Sequence, residues 1–328
     1  MKYRLLGKTG FEVSEISLGT WQLGGKWGEQ FSEKTASDIL EKAIDNGINF
    51  IDTADIYNDG MSEKAIGRVI KKRKEKIYVA TKCGRKSDPH VADAYNENNI
   101  RKYIEGSLKN MNLETLDLIQ LHCPPYEVYY NPYVFETLEK LKDEGKILNY
   151  GVSVERVEEA LKVIDYAGVS TVQIIFNMFR LRPSEHFFPE AKKKNIGIIV
   201  RIPLASGLLT GKFNPDTIFG KNDHRYFNRE GKFFSKGETF SGVDYDKGLQ
   251  AVSELKEIFN GPHELAQIAL RWILMFDEVS CVIPGASSVK QIESNIKASE
   301  LSKLSIEQMD EVKKIYEKYI KKPVHYLW

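Results

Sequence analysis

The chain has 328 residues, with 47 lysines and arginines against 46 aspartates and glutamates, and its formal net charge at pH 7 is +1. A charge so close to zero is atypical of general nucleic-acid or anionic-membrane binders, which need a net positive field, so neither partner is expected. No run of eighteen apolar residues occurs, and the first ten residues lack the apolar core of a signal peptide, so we expect a cytoplasmic location. The three cysteines show no CxxC spacing and therefore predict neither a disulfide framework nor a metal site.

The first predicted element is a β-hairpin, because polar and apolar residues alternate in MKYRLLGKTGFEVSE around Lys8-Thr9-Gly10. After it, short apolar runs typical of buried strands alternate with amphipathic stretches typical of helices. The eight predicted strands are, in chain order, EISLGT, INFIDT, KIYVATK, LDLIQLH, ILNYGVS, TVQIIF, IGIIVRI and SCVIP. At least one predicted helix follows each of them.

Eight strand–helix units favour an α/β fold of the (β/α)8 TIM-barrel type, since buried parallel strands are continuously apolar and crossover helices must cover them. A doubly wound open sheet is the alternative, but no GxGxxG follows the first strand. The stretch from Gly211 to Gly248 lacks helical or strand periodicity and predicts a long functional loop after strand seven. An extra C-terminal helix is predicted to start with a capping box at Ser305. Without any linker, residues 1–328 are expected to form a single domain.

Four polar residues follow the apolar runs of successive predicted strands. Asp52 ends INFID, Lys82 ends YVATK, His122 ends LIQLH, and Tyr57 lies five positions beyond Asp52. We expect all four in one pocket, because the carboxyl ends of barrel strands meet at one mouth. An ammonium beside a phenol stabilises the phenolate, so Lys82 is expected to lower the pKa of Tyr57 from about 10. With Asp52 holding Lys82 and His122 orienting a substrate oxygen, the set predicts general-acid chemistry on a carbonyl.

Seven segments, spread in order along nearly the whole chain, resemble the aldo-keto reductase superfamily. They are GINFIDTADIYNDGMSEKAIG, VATKCG, LDLIQLHCPP, GVSVERV, VQIIFN, PLASGLLTGKF and VIPGASSVKQIESNI. The chain looks most like the bacterial general-stress and inositol-utilisation oxidoreductases, and potassium-channel β-subunits belong to the same broader group. The resemblance implies that Asp52, Tyr57, Lys82 and His122 fill the family's catalytic tetrad. It also implies NADPH-dependent reduction of an aldehyde or ketone, with Tyr57 as the general acid.

The resemblance further implies a set of cofactor-binding positions. Those near the nicotinamide are Gly19, Thr20, Trp21, Asp52, Ser153, Gln173 and Arg201. Those near the pyrophosphate are Leu204, Ser206, Gly207, Leu208 and Lys212. In the long loop, the basic cluster Lys221, His224 and Arg225 is a further candidate for phosphate binding, with a solvated run of charge as the alternative. Those near the adenosine are Gly285, Ser287, Ser288, Gln291 and Asn295.

Two departures from the family pattern leave alternatives open. Arg201 occupies a position where better-known members place an aromatic ring that stacks on the nicotinamide. A planar guanidinium can stack as well, and an ion pair inside the barrel mouth is an equally good interpretation. Gly285 and Gln291 replace the basic residues of many NADPH-specific relatives and leave Lys290 to supply charge, so use of NADH is a second possibility.

The expected substrate pocket is aromatic, with walls from Trp21, Trp27, Tyr57, His122 and Tyr126. It suits small aldehydes, aromatic carbonyl compounds or quinone-like ketones, although Arg201 could recruit a carboxylate. An alternative function is a nucleotide-binding, redox-sensing regulatory subunit with slow turnover, and a third is a phosphate-handling barrel isomerase or lyase. The oligomeric state stays open.

Cys83 and Cys123 each follow a tetrad residue directly, on adjacent predicted strands. If their Cβ atoms approach within about 4.5 Å, they can form a reversible disulfide. We keep this as a separate hypothesis, since cytosolic disulfides are uncommon.

Overall fold

The chain begins with two antiparallel strands, β1 (Tyr3–Leu5) and β2 (Glu12–Ser14), in the computed structural model, which describes residues 1–25 and 29–328. The hairpin buries Leu6, Phe11 and Val13, which pack against residues inside the barrel. The partners are Phe50, Ala80, Leu118, Ile199, Cys281 and Ile283. The predicted hairpin is therefore confirmed, and its apolar side closes the end of the barrel at which the strands begin.

Eight parallel strands then form one sheet in chain order. They are β3 (Leu18–Gly19), β4 (Phe50–Asp52), β5 (Tyr78–Cys83), β6 (Leu116–His122), β7 (Ile147–Ser153), β8 (Val169–Ile175), β9 (Gly197–Arg201) and β10 (Val279–Val282). Two isolated parallel bridges, Ile16 with Val282 and Gly19 with Gly285, connect the β3 edge to the β10 edge. The TIM-barrel prediction is confirmed and the open-sheet alternative is wrong.

The described part of the chain contains twelve α-helices, several of which pack on the outside of the sheet. They are α1 (Glu33–Asp45), α2 (Met61–Ile70), α3 (Glu97–Met111), α4 (Pro132–Asp143), α5 (Val157–Val163), α6 (Phe187–Lys193), α7 (His224–Phe227), α8 (Tyr245–Ile258), α9 (Leu265–Ile273), α10 (Val289–Ile296), α11 (Ile306–Ile315) and α12 (Lys322–Val324). Within the described part of the chain, none of them is both long and apolar enough to cross a membrane.

The segment between β9 and α9 is more ordered than the predicted loop. It contains α7, several 3₁₀ turns and the whole of α8, which begins at Tyr245, before the expected end of the loop at Gly248. The predicted end of the loop is therefore wrong by four residues, because residues 245–248 are helical although their sequence shows no clear periodicity. Gly248 lies on the buried face of α8, where an added Cβ would be 2.9 Å from Leu208 Cδ1. A helix that packs through glycine has a weak apolar pattern in its sequence.

The predicted C-terminal helix is confirmed as α11. The Ser305 hydroxyl accepts a hydrogen bond from the backbone of Gln308, whose side chain in turn accepts one from the Ser305 backbone. Beyond this helix, the buried ring of Trp328 packs on residues 236–242, a segment that we call the strap. A Cβ added to Gly242 would lie 2.6 Å from Trp328 Cζ2. The end of the chain thus holds the strap in place.

Candidate active site

The structure brings the four predicted tetrad residues together at the carboxyl ends of β4, β5 and β6. Lys82 Nζ lies 2.5 Å from Asp52 Oδ1, 2.8 Å from the Thr53 carbonyl oxygen and 3.4 Å from Tyr57 Oη. The rings of Tyr57 and His122 meet nearly at right angles, with centroids 6.0 Å apart. A buried ammonium therefore contacts a carboxylate and a phenol at once, next to an imidazole.

A tight turn directs Tyr57 back towards Lys82. Thr53 and Asp55 continue the pairing of β4 with β5, since their backbone N–H groups donate to the carbonyls of Ala80 and Lys82. Asn58 and Asp59 then adopt left-handed φ values of 47° and 50°, a conformation that Asn and Asp tolerate better than most residues. This reversal leads directly into α2.

The net effect on Tyr57 is the opposite of the predicted one. Burial raises the pKa of Tyr57, and the nearby Lys82 offsets that effect only in part. The sequence-based expectation counted the ammonium but not the loss of water around the phenolate. Burial also opposes the charge of Lys82, but the attraction of Asp52 and Tyr57 outweighs it and raises the pKa of Lys82. Tyr57 is therefore a protonated phenol at neutral pH, as a general acid must be.

His122 is held in its neutral form. Burial lowers its pKa well below the usual value, and the positive charges of Arg85, Lys82 and Arg201 lower it further. Its Nδ1 is buried and has no hydrogen-bond partner within residues 1–25 and 29–328. A neutral imidazole can donate one hydrogen bond to a carbonyl oxygen without competing with Tyr57 for the proton.

The second carboxylate oxygen of Asp52 accepts hydrogen bonds from side chains on two other strands, β6 and β8. Asp52 Oδ2 accepts hydrogen bonds from Gln173 Nε2 at 2.7 Å and from Gln120 Nε2 at 3.1 Å. The sequence analysis did not identify Gln120 as a site residue. It lies two positions before His122, and strand residues two apart face the same side of a sheet. Gln173, expected at the nicotinamide carboxamide, thus has a structural contact inside the tetrad.

Arg201 forms the ion pair that was one of its two interpretations. Its Nη1 lies 3.3 Å from Glu238 Oε1, and its Nη2 donates to the Val154 carbonyl at 3.1 Å. The same Glu238 oxygen accepts a hydrogen bond from Arg85 Nη1 at 2.9 Å. Glu238 belongs to the strap, and one of its carboxylate oxygens lies within 4.8 Å of Cys123 Sγ and of a carboxylate oxygen of Glu155. Two guanidinium groups thus flank the side chain that the strap inserts into the barrel mouth.

The remaining predicted nicotinamide positions are packed around the tetrad. The Thr20 hydroxyl donates to the Asp52 carbonyl at 2.9 Å, and Ser153 Oγ lies 3.6 Å from the thiol of Cys123. The Trp21 ring is 5.1 Å from the ring of His224, measured between centroids. These contacts place β3, β7 and α7 around the same mouth.

The positions expected near the pyrophosphate and adenosine lie in the turn after β9, in α7 and around the start of α10. Ser206 donates to the Glu238 carbonyl at 2.9 Å and accepts from the Phe240 backbone, so it ties the turn after β9 to the strap. Leu204, Gly207, Leu208 and Lys212 belong to the same stretch. At the start of α10, Gln291 Oε1 accepts from the Ser287 backbone at 2.7 Å. Gly285, Ser288 and Asn295 lie beside them, with Asn295 Nδ2 3.4 Å from the Gly285 carbonyl.

The predicted aromatic walls and thiols are only partly connected with the mouth. Tyr126 is exposed and bonds to Tyr130 at 2.8 Å, while Trp27 lies outside the described residues. Cys83 and Cys123 are buried free thiols, and burial raises the pKa of both, that of Cys123 to about 11. The disulfide hypothesis stays a prediction.

Comparisons with known proteins agree with this geometry. The aldo-keto reductase YhdN of Bacillus subtilis is 31% identical over 332 residues, which cover 99% of this chain and 96% of YhdN. A probable voltage-gated potassium channel subunit beta of Arabidopsis thaliana is 29% identical, with coverage of 99% and 100%. The holo form of aldo-keto reductase AKR11C1 from Bacillus halodurans superimposes with a TM-score of 0.79 at 26% identity, covering 99% of each chain.

A profile of the Aldo/keto reductase family matches residues 15–317, which include every barrel strand and all four tetrad residues. With this match, and with a relative above 30% identity along the whole chain, the expected resemblance is confirmed: the chain belongs to the aldo/keto reductase family of oxidoreductases.

Proposed function

We propose that this protein reduces aldehydes or ketones to alcohols with a nicotinamide cofactor, and that Tyr57 is the general acid. The observation that carries the proposal is the position of Lys82 Nζ between Asp52 and Tyr57, beside a neutral His122. A phenol whose conjugate base is stabilised by a fixed ammonium is well suited to donate a proton to a developing alkoxide.

The proton step follows from these contacts. The substrate oxygen accepts hydrogen bonds from Tyr57 and His122, and the Tyr57 proton moves to it as the carbonyl carbon gains a hydride. Lys82 stabilises the resulting phenolate, and Asp52 keeps Lys82 charged and in place. The cofactor, when bound, supplies the hydride, so one carbonyl, one hydride and one proton give one alcohol.

The turn after β9 fits the phosphates of a dinucleotide. Gly207 has a φ of 100°, and a Cβ added there would lie 2.8 Å from Phe213 Cζ and 3.6 Å from Arg225 Nη1. The glycine lets the turn pack closely under the Phe213 ring, and the Arg225 guanidinium, which pairs with Asp223, brings a positive charge to the same turn. Near the start of α10 the exposed Lys290 supplies a positive charge and forms no ion pair within the described residues. We therefore propose NADPH as the cofactor, with NADH as a second possibility.

The test combines binding with turnover. NADPH and NADH are titrated against tryptophan fluorescence, and aldehydes are then added while the nicotinamide absorbance is followed. We expect quenching with NADPH and steady oxidation with at least one small aldehyde. Binding without turnover would instead favour the regulatory subunit, and no binding of either nucleotide would refute the proposal.

A further inference from the structure

Arg85 is a charged residue at the barrel mouth that takes no part in the proposed proton step. It follows β5 and lies three positions after Lys82, with about a fifth of its side chain exposed. Its Nη1 bonds to Glu238, and its guanidinium lies 5.7 Å from the centroid of the Phe234 ring. Its Nε and Nη2 have no hydrogen-bond partner among the residues that the structure describes. These two nitrogens form one side of the guanidinium fork.

The surroundings of Arg85 carry more positive than negative charge. Arg201 and Arg180 lie in the same buried group, against Glu238 and Glu155. Burial and the neighbouring Glu238 raise the pKa of Glu155, which favours its neutral form. Burial also opposes ionisation of Glu238, but Arg85 and Arg201 outweigh it and lower the pKa of that carboxyl. Two carboxyl groups thus face three guanidinium groups.

Several guanidinium N–H donors of these arginines are buried without an acceptor. Arg201 Nε and the Nε and Nη1 atoms of Arg180 are buried and unpartnered within residues 1–25 and 29–328. Buried donors without acceptors, in a region of surplus positive charge, favour an anionic ligand group. Of the three arginines, Arg85 is the most exposed, and it lies just beyond the carboxyl end of β5, three positions after Lys82.

We propose that Arg85 binds a carboxylate carried by the carbonyl substrate, so that the substrate class is small oxo acids. The inference rests on the proposed function and specifies its substrate. Glu238 holds Arg85 through Nη1 and leaves the Nε–Nη2 side for a bidentate pair with the incoming carboxylate. The same anion chemistry could come from the cofactor phosphates, and the two sources are separable by experiment.

The experiment compares two aldehydes of similar size and different charge, 4-carboxybenzaldehyde and methyl 4-formylbenzoate. We expect the wild-type protein to favour the acid in kcat/KM. Arg85→Met should lower the acid-to-ester ratio at least about tenfold, because the charge-assisted hydrogen bonds to the carboxylate are lost. Arg101→Met, which removes a surface arginine paired with Glu144, is the matched control and should leave the ratio unchanged.

Binding of benzoate, measured by tryptophan fluorescence, provides a readout that does not depend on turnover. Arg85→Met should weaken it about tenfold in the presence of NADPH. An unchanged ratio and unchanged benzoate affinity would overturn the inference, and so would a loss confined to the KM for NADPH, which would assign Arg85 to the cofactor. Absence of turnover with both aldehydes in the wild-type protein would instead count against the proposed function, while benzoate binding would still decide the role of Arg85.

Discussion

Gln173 on β8 donates a 2.7 Å hydrogen bond to Asp52 on β4, across the interior of the barrel. The same carboxylate accepts a 2.5 Å bond from Lys82 on its other oxygen. Both oxygens of Asp52 are thus fixed, and with them the position of the ammonium beside Tyr57. Rigid support of this kind is what a catalytic constellation needs to keep its geometry.

Replacement of Gln173 by Leu should lower kcat about tenfold, because a charge-assisted hydrogen bond is worth roughly 1.5–3 kcal/mol and only part of it reaches the transition state. Gln120→Leu should have a smaller effect, since its bond to Asp52 is longer, at 3.1 Å. Steady-state kinetics with varied NADPH distinguishes an effect of Gln173 on Asp52 from an effect on cofactor binding. A rise in the KM for NADPH in Gln173→Leu alone would show that Gln173 acts on the cofactor and not through Asp52.

Tyr57→Phe should reduce kcat by about 10²–10⁴, the usual contribution of a general acid, because the phenol proton is lost. Cofactor binding should persist, since the Lys82–Asp52 pair does not depend on the hydroxyl. Fluorescence titration with NADPH and single-turnover kinetics measure the two effects. Tyr133→Phe, at an exposed position, is the control. A variant that loses binding along with turnover would show that Tyr57 shapes the cofactor site.

Asp55→Asn should stabilise the protein at high pH. Burial, with repulsion from Glu63, raises the pKa of Asp55 to about 7, whereas an unfolded aspartate ionises near pH 4. Ionisation therefore lowers the free energy of unfolding progressively between about pH 4 and pH 7, and the loss is complete above that range. At about pH 8 we expect a gain of roughly 4 kcal/mol for the variant, and almost none at about pH 4.

Urea unfolding of both proteins across this range checks the prediction. Both carboxylate oxygens of Asp55 are buried without a hydrogen-bond partner among the described residues, so the amide replaces a group that is already unsatisfied. An equal effect at all pH values would mean that the substitution acts through packing and not through charge.

Trp328→Ala should loosen the strap. Its ring packs on Gly237 and Gly242 and lies 4.1 Å from the guanidinium of Arg180, so truncation leaves a cavity worth about 3 kcal/mol of stability. The variant should be cleaved faster by protease within residues 236–242 and should show a raised KM for the carbonyl substrate. Tyr326→Ala, at an exposed neighbouring position, should change neither property. Equal cleavage rates in the two variants would show that Trp328 does not hold the strap in place.

Lys290→Gln should raise the KM for NADPH about tenfold and leave that for NADH nearly unchanged, because a 2′-phosphate needs a positive partner and the free ribose hydroxyl does not. Lys297→Gln, at the other end of α10, serves as the control. Michaelis constants for both nucleotides decide the matter. A wild-type preference for NADH would remove the basis for this prediction and identify NADH as the working cofactor.

The placement of Asp52, Lys82 and His122 follows from the sequence because each ends a continuous apolar run, and the carboxyl ends of parallel barrel strands converge. The same logic extends to Gln120, which shares a strand face with His122. Family resemblance adds Tyr57, whose position depends on a turn with two left-handed residues that no periodicity reveals.

The pairing of Glu238 with Arg85 and Arg201 could not be predicted from the sequence. Glu238 belongs to a segment without periodicity, and its partners Arg85 and Arg201 are 153 and 37 positions away in the chain, so the pairing depends on the path of the strap. The pKa of Tyr57 was beyond reach for another reason, since its direction depends on how completely water is excluded from the phenol. Burial and loop path are properties of the finished fold.

The hairpin under the barrel has a consequence for how the chain folds. Its residues are synthesised before the barrel, yet Arg4 donates hydrogen bonds to the carbonyls of Leu274 and Val279, at the last barrel strand. These contacts cannot form until β10 has left the ribosome. Pairing over such sequence separations is slow, because loop closure must precede any stabilising contact. Until then Leu6 and Phe11 lack the barrel residues that bury them, and apolar surface exposed in this way during folding promotes aggregation.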